Sequence, residues 1–327
     1  MHPRKILLTT HTNPDGDAIG ASLAFFHYLR KKGHQVHVMV PDPSPGFLTW
    51  MKGHDELLDY QRQEELCNEI INGSELIFSM DYNDLSRLNK ATPAVRQTGA
   101  QKILIDHHLY PAGHYDYQIS VVEVSSTAEL VYEFIAAAGD VSLIDLAIAE
   151  GIYTGIITDT GSLSYSCNYT RTYEIIADLY RFGIDGEHIH RLVYDTFSEK
   201  RLRLLGYSLS EKLVVLPEFH TAYITLSAAE LDRFDYEVGD TEGVVNYALS
   251  IGGINLAVLF TERDRKIRIS FRSKGNFSVE ELARTFFEGG GHCNAAGATS
   301  YMSMTETVDK FRQILPRLAD QLKNPYG

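Results

Sequence analysis

The chain has 327 residues, 44% of them apolar, enough for two domains with cores of their own and too many for a disordered polypeptide. Its formal net charge of −13 argues against tight binding of long duplex nucleic acid, which needs a basic face. Three scattered cysteines (Cys67, Cys167, Cys293) form neither a disulfide framework nor a zinc cluster, and no run approaches the ~18 consecutive apolar residues of a membrane helix. A cytoplasmic location with no membrane partner is the expectation.

Short apolar strands alternate with helical patterns in the first part of the chain. KILLTT reads as a strand and AIGASLAFFHYLRKKG as a helix ended by Gly33. QVHVMVP, ELIFSMD and QKILIDHH follow as further strands. SSTAELVYEFIAAAG then has a Ser/Thr start with Glu129 beyond it, and SLIDLAIAEGIYTGIITDTG reads as a long apolar helix running into a turn. This alternation predicts an α/β domain whose mainly parallel sheet carries helices on both faces.

From about Thr170 the segments become helical and more charged, and SEKRLRLLGYSLSEKL reads as a connector helix. After Pro217, TAYITLS and a hairpin in NLAVLFTERDRKIRISFRSK, turning near Arg263–Arg265, begin a second and smaller α/β unit. Its last element is a helix, TETVDKFRQILPRLADQL, with a kink expected at Pro316. The division expected is a first domain over 1–190, a connector over 191–215 and a second domain over 216–327.

The acids and imidazoles gather at strand ends, where ligands bind in open α/β sheets. HTNPDGDAIG carries His11, Asp15 and Asp17, which fit either a metal-holding turn or a polar turn whose Asp17 caps the next helix. Asp81 ends SMD, Asp106-His107-His108 ends the apolar ILI, and Asp159 follows an apolar helix. Singly, each acid can be a cap. Together, two imidazoles and four carboxylates suit two divalent ions sharing a bridging acid, with mixed shells that favour Mn²⁺ or a similar first-row ion over Mg²⁺. Paired ions roughly 4 Å apart are suited to phosphate-ester hydrolysis. His108, beside His107, could donate a hydrogen bond to the phosphate or leaving oxygen.

A second cluster is EGGGHCNAAGA, residues 288–298. The N–H groups of Gly289, Gly290 and Gly291, followed by helix-forming AAGA, predict either a structural turn or an anion site at a helix start. His292 within it, and Arg272 and Ser273 on the preceding hairpin, add donors for a phosphate. The other histidines read as face residues, with His114 near enough to DHH to face the same cleft.

HTNPDGDAIG, SMDYND with Arg87 beyond it, IDHH and TDTGS, in that order, resemble the motifs of the DHH phosphoesterase superfamily. SFRSK followed by GGGHCNAAGA resembles its associated C-terminal domain, and the nanoRNase/pAp-phosphatase group matches best, over nearly the whole chain. The resemblance implies one Mn²⁺ on His11, Asp15 and Asp81 and another on Asp17, Asp81, His107 and Asp159, with Asp81 bridging. It casts Asp106 as the acid that orients the adjacent imidazole and His108 as the phosphate-contacting histidine. Arg272, Ser273 and His292, with the glycine loop, are cast as the clamp on the substrate's other phosphate. Glu288 stands where the family often has a fourth glycine.

The function implied is hydrolysis of short oligoribonucleotides to mononucleotides and removal of the 3′-phosphate of 3′-phosphoadenosine 5′-phosphate (pAp). The runner-up is a phosphodiesterase of linear or cyclic signalling dinucleotides. A RecJ-type exonuclease and a non-catalytic nucleotide-binding regulator are further alternatives, and a homodimer is compatible with the chain.

Overall fold

The computed structural model describes residues 2–326 and divides into two units, one ending at Thr196 and the other starting at Phe197. The first holds strands β1 (Lys5–Thr9), β2 (Gln35–Val40), β3 (Leu58–Asp59), β4 (Leu76–Met80), β5 (Gln101–Asp106) and β6 (Tyr117–Ser120). They form one parallel sheet in the order β3-β2-β1-β4-β5-β6. Its helices are α1 (Gly16–Lys31), α2 (Glu64–Gly73), α3 (Thr92–Gln97), α4 (Thr127–Ala137), α5 (Leu146–Asp159), α6 (Thr170–Arg181) and α7 (Gly186–Tyr194).

Alternation along the strands builds two cores. Ile6 and Leu8 of β1 face the apolar sides of α1, α4 and α5. Leu7 points the other way and joins Met39, Ile77 and Leu104 under α2 and α3. A parallel sheet must be covered on both faces, and the near-continuous apolar runs of its strands follow from that.

The second unit has β7 (Leu213–Leu216), β8 (Thr221–Leu226), β9 (Leu256–Arg263), β10 (Lys266–Ser273), β11 (Glu288–Gly291) and β12 (Ala295–Ser300). Their order is β11-β12-β10-β9-β8-β7, antiparallel except between β8 and β9. Helices α8 (Glu199–Glu211), α9 (Ala228–Arg233), α10 (Val244–Leu249), α11 (Val279–Phe286) and α12 (Met304–Lys323) complete it. One face of the sheet, with Phe260, Ile269 and Phe271, packs Leu282 of α11 and Phe311 of α12. The other packs Val244 and Ala248 of α10 and Leu204 of α8. The segment read as a connector is thus, through α8, part of this unit's core.

Two local expectations change. α5 starts at Leu146 rather than at Ser142, because the Asp145 side chain accepts the Ile148 N–H and caps it there. The segment AAGATS, read as a helix start, is strand β12: its small residues fit between β10 and β11, and pairing on both sides overrides alanine's helix propensity.

Candidate active site

β1, β4 and β5 lie side by side and parallel, so their carboxyl ends share one edge of the sheet. His11 follows β1, Asp81 follows β4, Asp106 closes β5, and His107 and His108 come directly after it. α1 brings Asp15 and Asp17 from its first turn, and α5 ends on Asp159. All eight positions singled out in the sequence for this half of the chain meet here.

The turn that opens α1 corrects one reading. Asp15, not Asp17, is the N-cap: its carboxylate accepts the N–H groups of Asp17 at 3.1 Å and Ala18 at 3.0 Å. Asp17 is buried and reaches across to another helix, accepting Thr127 N–H at 2.7 Å and Ala128 N–H at 2.9 Å from the first turn of α4. The helix start that steadies this acid belongs to α4.

Asp81 occupies the centre. It is a buried residue in the left-handed region (φ 66°), a conformation Asp tolerates, and its N–H still bonds Ile105 O at 3.0 Å. Its Oδ2 lies 3.5 Å from His11 Nε2 and its Oδ1 lies 3.5 Å from His107 Nε2. His11 Nε2 is also 3.8 Å from Asp15 Oδ2, and His107 Nε2 is 3.3 Å from Asp159 Oδ2 and 3.8 Å from Asp17 Oδ2. Two imidazole–carboxylate groups therefore stand back to back on one shared acid. Within His11–Asp15–Asp81, and within Asp17–His107–Asp159, the donor atoms lie within 4.8 Å of one another.

The electrostatics follow from crowding acids where little solvent reaches most of them. Burial, with the charges of Asp81 and Asp159 added, pushes the Asp17 carboxyl well above its ordinary range. Burial likewise lifts Asp159, to about 6, against the pull of His107. Burial would raise Asp81 too, but hydrogen bonding with His107 and His11 holds it well below the usual carboxylate range. His107 rises in turn, because Asp159 and Asp81 outweigh the burial that lowers it. A site that holds two acids, Asp17 and Asp159, against their own ionisation fits a positively charged occupant, and imidazole with carboxylate oxygens is a donor set for a divalent first-row metal.

Two of the imidazoles are held by hydrogen bonds on one ring nitrogen. His11 Nδ1 donates to Thr12 O at 2.8 Å, which leaves the Nε2 lone pair aimed at the acids. His108 Nδ1 donates to Asp106 Oδ1 at 2.7 Å. The other oxygen of fully buried Asp106 has no hydrogen-bond partner among the described residues. His114 Nδ1 lies 3.9 Å from Asp84 Oδ2.

Two contributors escaped the sequence reading. Thr127 donates its hydroxyl to Asp81 Oδ1 at 3.0 Å while its N–H holds Asp17, so a single residue sets both acids. Gly155 of α5 is needed for close approach: a Cβ there would stand 2.6 Å from Asp17 Oδ1 and 2.4 Å from the Ala128 Cβ. The only sequence signal for Thr127 was its place at a helix start, which reads as capping.

In the second unit the glycine stretch is the edge strand β11 of a hairpin, closed by His292 N–H to Ala295 O at 2.7 Å. Gly289 and Gly291 are there for pairing: a Cβ would stand 2.2 Å from Gly297 O and 2.6 Å from Ala295 O respectively, and Gly291 has φ 147°. Gly290 alone faces open space. Ser273 is buried, donates its hydroxyl to Phe277 O at 2.6 Å and accepts Asn294 Nδ2 at 3.0 Å. Its hydroxyl thus fastens the hairpin turn to the 273–277 loop. Arg272, beside it on β10, donates Nη1 to Phe271 O at 2.9 Å.

Residues 5–156 match the DHH family N-terminal domain, and residues 219–324 match the DHHA1 domain. A Thermus thermophilus protein named bifunctional oligoribonuclease and PAP phosphatase NrnA is 30% identical over 299 residues, 90% of this chain and 83% of its own. The Bacillus subtilis protein of the same name is 27% identical over 300 residues, 90% of this chain and 89% of its own. The crystal structure of an exopolyphosphatase-related protein from Bacteroides fragilis superposes with a TM-score of 0.93 at 42% identity, covering 98% of this chain and 94% of that one.

Proposed function

Since this chain belongs to the DHH family of phosphoesterases and carries a DHHA1 domain over residues 219–324, we propose that it hydrolyses short oligoribonucleotides to mononucleotides and removes the 3′-phosphate of pAp. The observation that carries the reading is Asp81, whose two oxygens address His11 and His107 separately. A carboxylate divided in this way suits a bridge between two cations. One ion is assigned to His11, Asp15 and Asp81, and the other to Asp17, Asp81, His107 and Asp159. Mn²⁺ is the metal assigned, because each set mixes imidazole with carboxylate. Two bound ions would supply a water of lowered pKa and neutralise the charge that develops on the phosphoryl group.

The chain's own groups orient and clamp. With Nδ1–H of His108 committed to Asp106, the ring presents Nε2, which in the imidazolium form donates to a phosphate or leaving oxygen. Arg272 and His292, with open-facing Gly290, are assigned to a further phosphate of the substrate. Ser273 supports them by holding the hairpin turn. The names of the 30% and 27% identical relatives support the choice of substrates.

The test is one side-by-side assay of the full chain with Mn²⁺ on a ribodinucleotide, pAp, a cyclic dinucleotide and pyrophosphate, repeated with chelator. Turnover of the first two, stopped by chelator, is the expected result. Faster turnover of the cyclic dinucleotide or of pyrophosphate would overturn the substrate assignment, and full activity in chelator would overturn the metal.

A further inference from the structure

The end of α5 does more than present Asp159. Immediately beyond it, Gly161, Ser162 and Leu163 have φ of 53°, 56° and 62°, so three residues in succession, two of them not glycine, lie in the left-handed region. Such a segment persists only where its surroundings over-determine it, and it tends to occur where function needs a fixed geometry. Thr160 binds it from within: its hydroxyl donates to Ile156 O at 2.7 Å and accepts Leu163 N–H at 3.0 Å.

α7 binds it from outside. Ile189 and Val193 bury one side of that helix in the core, while His190 and Tyr194, one turn apart, lie with ring centroids 4.6 Å from each other. His190 Nε2 hydrogen-bonds Ser162 Oγ at 3.0 Å. Tyr194 donates its hydroxyl to Ile157 O at 2.7 Å, the same carbonyl that accepts Ser162 N–H at 2.7 Å. The two rings thus grip the last turn of α5 and the left-handed turn after it, on both sides of Asp159 in sequence. Nothing else in the reaction as proposed uses His190.

We propose that His190 is a positioning residue for Asp159: its bond to Ser162 fixes the turn that points the Asp159 carboxylate at His107. The inference rests on Asp159 being a ligand of the ion on the His107 side. It predicts a one-sided defect, in which only the ion held through Asp159 is loosened when the pin is removed. Partners that orient a ligand in this way are typically worth about 10–100-fold in metal affinity.

Calorimetric titration of metal-stripped full chain with Mn²⁺ tests it, alongside thermal unfolding of the same metal-stripped proteins. His190→Ala is expected to weaken one of two binding events about 10–100-fold while leaving the other, and the unfolding midpoint without metal, close to wild type. His190→Gln, which can still reach the Ser162 hydroxyl, should restore most of that affinity. Ser162→Ala should reproduce the His190→Ala defect, and the double variant should be no worse than either single one, because both remove one bond. Unchanged binding in His190→Ala, equal weakening of both events, or additive losses in the double variant would each overturn the proposal. A wild-type chain that takes up no Mn²⁺ would overturn it together with the metal reading. Failure of the substrate assignment alone would show in the wild-type assay and leave the titration intact.

Discussion

The two units treat an acid largely withdrawn from solvent in opposite ways. Asp17 and Asp159 in the first are pushed upward, above all by burial, with other acids close by. Glu230 in the second is also withdrawn from water, yet it is held down to about 2 by Lys212, Tyr207 and Ser227, which outweigh the burial. The second carboxylate is complete: its neighbours supply every donor it needs, and its role is to brace α8 and α9 against each other. The first group is crowded and short of positive charge. That contrast separates a structural acid from a site more sharply than residue type does.

The largest effect should come from the residue on which the first group turns. Asp81→Ala removes the carboxylate shared by both imidazoles, and kcat on pAp is expected to fall on the order of 10³-fold or more. Asp81→Asn, nearly the same shape without the charge, should be almost as inactive. If Asp81→Asn kept a tenth of wild-type kcat, the crowded charge would not be the working feature and the comparison would fail.

Thr127→Val sharpens the same point at lower cost. It deletes the hydroxyl donated to Asp81 while keeping the main-chain N–H that holds Asp17. A loss of about 10–100-fold in apparent Mn²⁺ affinity is expected, read from the Mn²⁺ concentration giving half-maximal rate. Wild-type Mn²⁺ dependence would show that the Thr127 hydroxyl does not set Asp81.

Legibility differed between the units for a physical reason. In the first, parallel strands deliver their carboxyl ends to one edge whatever the loop details, so His11, Asp81, Asp106 and His107 could be placed from strand pattern alone. What pattern could not show was which helix an acid serves: Asp17 looked like the cap of α1 and is bound by α4 instead. In the second unit, three glycines and AAGA carry no period: AAGA becomes strand β12 by pairing with distant β10, and the glycines become β11 by pairing with β12. Gly289→Ala tests that account directly, since its Cβ would meet the Gly297 carbonyl. A stability loss of about 1–3 kcal/mol is expected by urea unfolding, against almost none for Gly290→Ala. If instead Gly290→Ala proved the more destabilising, the hairpin would not be what the glycines serve.

The smallest expected effect probes the complete acid. Glu230 accepts Tyr207 OH at 2.6 Å and Lys212 Nζ at 2.7 Å on one oxygen, and Ser227 N–H at 2.8 Å and Ser227 OH at 2.9 Å on the other. Its carboxyl titrates lower in the folded chain, at about 2, than in the unfolded one, near 4.3. The unfolded state therefore binds the proton first as pH falls, and the stabilisation is fully present above the unfolded value. It is lost progressively between about pH 4.3 and pH 2, and with one-fifth of the Glu230 side chain exposed its size after screening is about 1–2 kcal/mol. Urea midpoints of wild type and Glu230→Gln should accordingly differ most at neutral pH and converge toward pH 2. A gap that stayed constant across that range would mean that the glutamine loses shape or packing rather than charge, and Glu230 would no longer stand as the opposite of Asp17.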